Sequence, residues 1–431
     1  MSWFGRRKPA PVVEEAEVPQ APTLPEPPRP NDAGLRELHA HSDYLLGLVE
    51  PLPPFGMQLL EAWNQTLCED LVAMASVPPV DLATMDGYAV RSSDVSAARR
   101  DAPIVCTLME SVDEDLPPYV AVPVAARTPM PPGSDAVLPE RAYARDELTI
   151  SVREGVEAGE NVTRAGSAMA IGTPLMASGE RLDARSIGLL AGAGIDKVFV
   201  RPRPRVVVLS SGEDVLDPGL DMGNSDQTWD ANSYLIAAAA KAVGAQVWRV
   251  GVPGNDPEKL SETITDQLIR ADLVISTTGS QRDYERIKAV LTTLGPTDFT
   301  EVAMLPGKTQ AFGLVGDDRI PMLLLPGNPV SAYVTFQVFV RPLLRKLMGI
   351  EPVGFTPVRA ITTSMLRSAT GQVQLMRGRV WTERGIRTVE AVHDHDPLRE
   401  LASCNALIVL DSDTDVVMAG ESAMCWLLDE E

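Results

Sequence analysis

Several short segments carry residue types that hold cations or bind anions. The run RVVVLSSGED ends in small residues followed by Glu213 and Asp214. Adjacent carboxylates at a strand end are oxygen donors for a hard cation such as Mg2+, which bridges phosphate oxygens; they would serve equally as a helix cap. Asp86 precedes Gly87 in TMDGYAV, where a carboxylate beside closely approaching backbone could hold a hydrated cation or a substrate amine, although most Asp-Gly pairs are plain turns. TWDANS sets Asp230 and Asn232 before a helix, where an aspartate usually accepts orphan amide hydrogens and less often meets a ligand. LPGNPVSA reads as strand, turn and helix start, whose free N–H groups and positive dipole end suit a phosphate, with Asn328 and Ser331 as further donors. Pro329 would equally mark only a good helix start. The run His393 to Asp396 looks metal-like, but consecutive residues do not converge on one ion, and a solvated turn is favoured.

These segments need elements to position them. From Arg205 the pattern alternates: strand RVVVLSSG, a helix from Ala231 to about Val243, strand AQVWRVGV, a helix after Asp256, strand LVISTTG, a helix from about Tyr284 to Leu294, then IPMLLLPGN running into a helix to about Leu347. Such alternation predicts a mostly parallel sheet covered on both faces, with ligands beyond the carboxyl ends of the strands. Those ends are Ser210 to Asp214, Thr277 to Ser280 and Pro326 to Pro329.

Upstream, apolar residues at three-to-four spacing between Gly34 and Cys68, broken by Pro51, Pro53 and Pro54, predict two helices. From about Val77 to Val200 the text turns to short β-type runs, and after Pro352 similar runs predict a small C-terminal sheet. The proline-rich, acidic residues 1–34 bury too little apolar surface to order themselves and read as a tail; Trp3, Phe4, Arg6, Arg7 and Lys8 at its start could dock on a partner. The fold class is thus α/β and multi-domain, as 431 residues require.

Composition narrows the partners. With 59 acidic against 38 basic residues the net charge is −21, a field that repels nucleic acid and opposes any anion not met by local amides, lysines or a cation. Four cysteines, Cys68, Cys106, Cys404 and Cys425, have no CxxC spacing, so neither a zinc site nor a disulfide framework is expected, and a reducing cytoplasm is the simplest home. No run reaches the roughly 18 apolar residues of a membrane span.

Three strings in order, PPVDLATMDGYAVR at 78–91, VVVLSSGEDVLDPG at 206–219 and LLPGNPVSAYVTFQVFVRPLL at 324–344, resemble the MoeA and gephyrin E-domain family from about residue 35 to the C-terminus. The resemblance implies a MoeA-like homodimer of four-domain protomers: a tail over 1–34, an elongated N-terminal domain from 35–80 and 165–202, a β-rich domain over 81–164 carrying MDGYAV, a three-layer α/β molybdopterin-binding domain over 203–351, and a C-terminal β domain over 352–431. It also implies insertion of molybdate into adenylated molybdopterin with release of AMP, assisted by Mg2+. The matching positions would be Asp86, Asp214 and Asp283 for catalysis, Gly279, Lys308, Asn328, Ser331 and Asp230 for substrate, and Glu213 with Asp214 for the metal.

The chain departs from the family around the expected anion. FTEVAMLPGKT at 299–309 stands where the family reads FWKxAxKPGKP, so Glu301 and Leu305 replace two lysines and Lys308 remains. Ala126, Thr163, Ala168 and Asn255 likewise replace family threonine, arginine and aspartates. Two functions fit: a transferase with altered anion recognition, or a gephyrin-like dimeric scaffold gripping a short peptide near the C-terminal domain, such as an FtsZ-type division protein tail or a membrane receptor segment.

Overall fold

The structure, a computed structural model, describes residues 23–428 apart from 213, 226, 253–255, 279 and 394. Glu213, Gly279, Asn255, Asp394 and most of the expected tail therefore lie outside the described residues. Between residues 23 and 34 the chain forms neither helix nor strand, and the Tyr44 hydroxyl donates to the Pro25 carbonyl at 3.2 Å. Among the described residues no helix is long and apolar enough to cross a membrane.

The chain forms two compact units. One holds the described residues up to Glu50, Arg203–Leu347 and those from Glu351 onward. Its centre is a six-stranded sheet in the order Gln246–Val252, Arg205–Ser211, Leu273–Thr278, Ile320–Leu325, Thr309–Val315, Thr297–Glu301. The first four strands are parallel, and the last two are antiparallel additions. Leu273–Thr278 is buried throughout, as a central strand covered on both faces must be. The helices begin and end where the sequence offers caps: Ala231–Val243 starts behind Asp230 and stops at left-handed Gly244, and Pro257–Leu268 starts behind Asp256 with proline in its first turn. The C-terminal strands Val373–Glu383, Ile386–Ala391, Val358–Thr362, Ser422–Leu427 and Ala406–Leu410 pair in succession, and the last pairs back onto the first, closing a barrel.

Residues 35–50 were expected with the elongated domain, but they lie in the same compact unit as the α/β sheet. The Arg36 backbone donates to the Glu301 carbonyl and accepts from Ala303 N–H, both at 2.8 Å. Its guanidinium meets the Asp298 carboxylate at 2.6 and 3.1 Å, with side chains only 5% and 9% exposed. It also reaches His41 Nδ1 at 3.0 Å. Burial first, and then the neighbouring Arg36 charge, lower the His41 pKa to about 4 against a smaller opposing pull from Asp298. Folding therefore favours neutral His41, and that stability is present above pH 6.5 and drains as pH falls towards 4, by about 3 kcal/mol at most. His41→Phe should flatten the difference in unfolding free energy between pH 7 and pH 4, measured by urea denaturation; an unchanged slope would refute this assignment.

The other unit comprises Pro51–Pro202 with Met348–Ile350. Its six-stranded sheet runs Ala136–Leu138, Gly87–Val90, Val120–Val124, Ile104–Leu108, Thr149–Val152, Tyr143–Arg145. Gly87 is required by close packing of backbone: a Cβ there would lie 2.2 Å from the Leu138 carbonyl oxygen. The second helix expected before Cys68 does not form. Phe55–Gln58 is instead a strand paired antiparallel with Lys197–Val200, and Leu59 and Ala62 from turns and Leu67 from an isolated bridge to Val200 reach a core with Leu182, Leu190 and Val198. The periodic leucines were a true signal of burial, but Pro51, Pro53 and Pro54 and the available partner strand decided the local structure.

Candidate active site

At the carboxyl ends of the parallel strands the apolar runs give way to Ser210, Ser211, Thr277 and Thr278, which with the 228–232 and 327–329 segments line a cavity of about 320 Å³. Small polar residues leave room there, and two of their hydroxyls are tied to the sheet. Ser211 Oγ donates to the Thr277 carbonyl at 3.2 Å and Thr277 Oγ1 to the Leu209 carbonyl at 3.3 Å. One wall comes from the parallel pair Val215–Leu216 and Thr228–Trp229, which carries Trp229 to the rim. Another comes from Leu398 of the short helix Pro397–Ser403, which Asp396 caps by accepting from Leu398 and Arg399 N–H.

Among the described residues, the charged side chain that lines the cavity, Asp230, is already paired. Asp230 accepts from the Ser233 amide at 2.9 Å, from the Ser233 hydroxyl, and from Arg249 Nη2 at 3.3 Å. Burial works against the Arg249 charge, but hydrogen bonds to Asp217 and Asp230 and the nearby Tyr234 raise its pKa on balance, so the cation persists. Arg249 also lies 3.6 Å from the centre of the Tyr234 ring. Asp230 thus acts as cap and counter-ion, the more ordinary of its two readings.

Asn328 caps the helix Pro329–Thr335, its Oδ1 accepting from Val330 N–H at 3.0 Å and from Ser331 N–H at 3.2 Å. These are two of the amides that an anion would use, so the helix start is largely satisfied by its own side chain. Asp283 Oδ2 accepts from the Ser280 hydroxyl at 2.6 Å, and Oδ1 meets Arg286 at 3.2 Å. That carboxylate is buried beside Gly212, where a Cβ would stand 3.4 Å from Oδ2. Asp214 is exposed, and its backbone carbonyl accepts from Thr228 N–H at 2.7 Å.

Lys308 does not line the cavity. Its ammonium pairs with the Glu301 carboxylate at 2.8 Å, both side chains being partly exposed. The loop that presents it is tightly built: Gly307 has φ of +96°, a Cβ there would stand 2.6 Å from Thr335 Oγ1, and the Gln310 amide donates to the Gly307 carbonyl and to Thr335. Asp86 belongs to the other unit, where it is exposed and accepts from Ala126 N–H at 2.8 Å.

A divalent cation fits this donor set only with few protein ligands. Among the described residues no three or more His, Cys, Asp or Glu groups gather as a metal cluster. Mg2+ commonly takes one or two carboxylates and completes its shell with water and phosphate, for which exposed Asp214 is suited and Asp283, occupied by Ser280 and Arg286, is not. Trp229 and Leu398 were not singled out from the sequence, whereas Thr278 falls in the expected strand end Thr277 to Ser280. Trp229 stood beside Asp230 in TWDANS, but nothing local indicated that it would face a cavity.

Residues 36–194 match the family model described as the MoeA N-terminal region (domain I and II), and residues 207–346 match the one described as a probable molybdopterin binding domain. The chain is 34% identical over 397 residues to molybdopterin molybdenumtransferase 1 of Mycobacterium tuberculosis, covering 85% of this chain and 93% of that protein. It is 32% identical over 391 residues to the molybdopterin molybdenumtransferase of Haemophilus influenzae, covering 89% and 96%. In fold it is similar to the molybdopterin biosynthesis MoeA protein from Pyrococcus horikosii, with a TM-score of 0.78, 22% identity, and coverage of 92% of this chain and 100% of that one.

Proposed function

The chain belongs to the molybdopterin molybdenumtransferase family of molybdenum cofactor biosynthesis, and from that membership we propose that it inserts molybdate into adenylated molybdopterin and releases AMP. The observation that carries the reading is the cavity at the strand ends, whose lining residues other than Leu398 fall within the segment matched to the molybdopterin binding domain. A site at that place is where open α/β sheets bind ligands.

In this reading Asp214, exposed beyond the Arg205–Ser211 strand, holds Mg2+ together with substrate phosphate oxygens; the ion supplies charge neutralisation when bound. Asp283 orders the turn at the start of its helix through Ser280 rather than ligating directly. Lys308 is the cation for the oxyanion, and Glu301 competes for it. Asp86 acts on the same substrate from the second subunit of a homodimer in the cytoplasm, as the resemblance implies. The comparisons do not favour the peptide-binding scaffold alternative.

Complementation provides the test. In a bacterial strain lacking its own molybdopterin molybdenumtransferase, expression of this chain should restore nitrate reductase activity, and Asp214→Asn should lower the restored activity by about tenfold or more. Failure of the wild-type chain alongside a relative that complements would contradict the proposal.

A further inference from the structure

We propose that Arg249, which does not line the cavity, is a positioning residue for the site: it clamps the loop 212–229, and with it one cavity wall and Asp214, to the neighbouring strand Gln246–Val252. This rests on the transferase reading above and extends it to a residue with no expected part in the chemistry.

The loop holds to itself more than to the sheet. It leaves the strand Arg205–Ser211 at Gly212, whose φ is +147° and where a Cβ would stand 2.8 Å from Val215 Cγ2. Its two ends are joined by Thr228 N–H donating to the Asp214 carbonyl at 2.7 Å and Asp230 N–H donating to the Leu216 carbonyl at 2.8 Å. The Trp229 indole donates to Leu220, also within the loop, and Leu220, Met222 and Trp229 are all exposed. A segment with so little burial takes its place from specific polar contacts. Its place matters because Val215, Thr228 and Trp229 line the cavity.

Arg249 supplies such a contact. It stands on a strand opposite Val208 in register, and that strand is the last in its sheet. Nε donates to Ser233 Oγ at 2.8 Å, and Nη2 reaches Asp230 Oδ2 at 3.3 Å and Asp217 Oδ1 at 2.8 Å. The guanidinium carbon lies 3.6 Å from the centre of the Tyr234 ring. Ser233, Asp230 and Tyr234 belong to the helix Ala231–Val243 and its cap, so three contacts fix the guanidinium in place and the fourth crosses to the loop. Several fixed N–H donors on one plane make this division of labour possible, which a lysine ammonium does not reproduce.

The experiment compares full-length wild type with Asp217→Asn, Arg249→Lys and Arg249→Met. Asp217 is 62% exposed, so its substitution releases the loop while Arg249 keeps its contacts with the helix. In Asp217→Asn, hydrogen–deuterium exchange read by mass spectrometry should quicken about threefold in peptides within 214–230 and stay unchanged in peptides of the helix Ala231–Val243, a modest effect as suits a half-exposed ion pair. Arg249→Met should quicken both regions, and Arg249→Lys should fall between wild type and Arg249→Met. In AMP release, Asp217→Asn should raise KM for adenylated molybdopterin about threefold with kcat within about twofold, and Arg249→Met should raise KM about tenfold. Unchanged exchange within 214–230 in Asp217→Asn, equal quickening in the helix, or faster exchange with unchanged KM would overturn the inference. If the wild type releases AMP while exchange in Asp217→Asn is unaltered, the clamp falls and the transferase reading stands. If exchange responds as expected but the wild type releases no AMP, the transferase reading falls and the clamp stands.

Discussion

Replacing Glu301 and Leu305 together by lysine is expected to lower the molybdate concentration needed for half-maximal AMP release by about tenfold or more. The wild-type loop offers the oxyanion one ammonium, and that ammonium is already paired with Glu301 at 2.8 Å. Two unit charges about 4 Å apart interact by ~4 kcal/mol at an effective dielectric near 20, so exchanging a carboxylate for an ammonium swings the local field by ~8 kcal/mol before screening. Both partners are partly exposed, which reduces the realised effect to a small fraction of that figure; a net gain of ~1.4 kcal/mol is a factor of ten. Glu301→Gln, which frees Lys308 without adding charge, should give an intermediate gain. The effect belongs to the molybdate dependence, so the concentration dependence on adenylated molybdopterin should move much less. Unchanged molybdate dependence in both variants would mean that this loop does not meet the oxyanion.

Asp298→Ala is expected to cost about 3–5 kcal/mol of unfolding free energy, because it strands a buried guanidinium. The bidentate pair joins residues 262 positions apart in sequence. Arg36 also bonds through its backbone to Glu301 and Ala303, so the same pair pins the strand that ends at the Glu301–Lys308 loop. The double substitution Arg36→Met with Asp298→Leu should recover most of the loss, since it removes both charges and fills the space. Urea melts of the three variants check this. A loss below about 1 kcal/mol in Asp298→Ala would show that water reaches the guanidinium and that the pair is not an anchor.

The sequence was most readable where local pattern and global fold agree. The helix from Ala231 to Val243 and the strands at 205–211, 273–278 and 320–325 stand close to their expected places, because long apolar runs between capping residues leave few alternatives. The antiparallel strands Thr297–Glu301 and Thr309–Val315, added beyond the parallel four, had no such signature. At the site, sequence located the strand ends that line the cavity but not the use made of each side chain. Asn328 and Asp230 lie where ligand residues were sought, yet both are absorbed as caps, a choice set by which amides happen to face them. Leu398 lines the cavity from a helix more than a hundred residues beyond Trp229 in the chain, a proximity that local sequence pattern does not encode. Asp86 was legible as an Asp-Gly carboxylate, but its preference over a plain turn, and the Glu301 replacement, came only through resemblance to the family.

Molybdate insertion at a site whose lysine is masked by Glu301 is the activity proposed for this chain. Purified wild-type protein given Mg2+, saturating adenylated molybdopterin and millimolar molybdate should release AMP in step with molybdenum bound to the recovered pterin, measured by chromatography and mass spectrometry. Adenylated molybdopterin recovered intact at every molybdate concentration, under conditions where a relative converts it, would show that this chain does not insert molybdate.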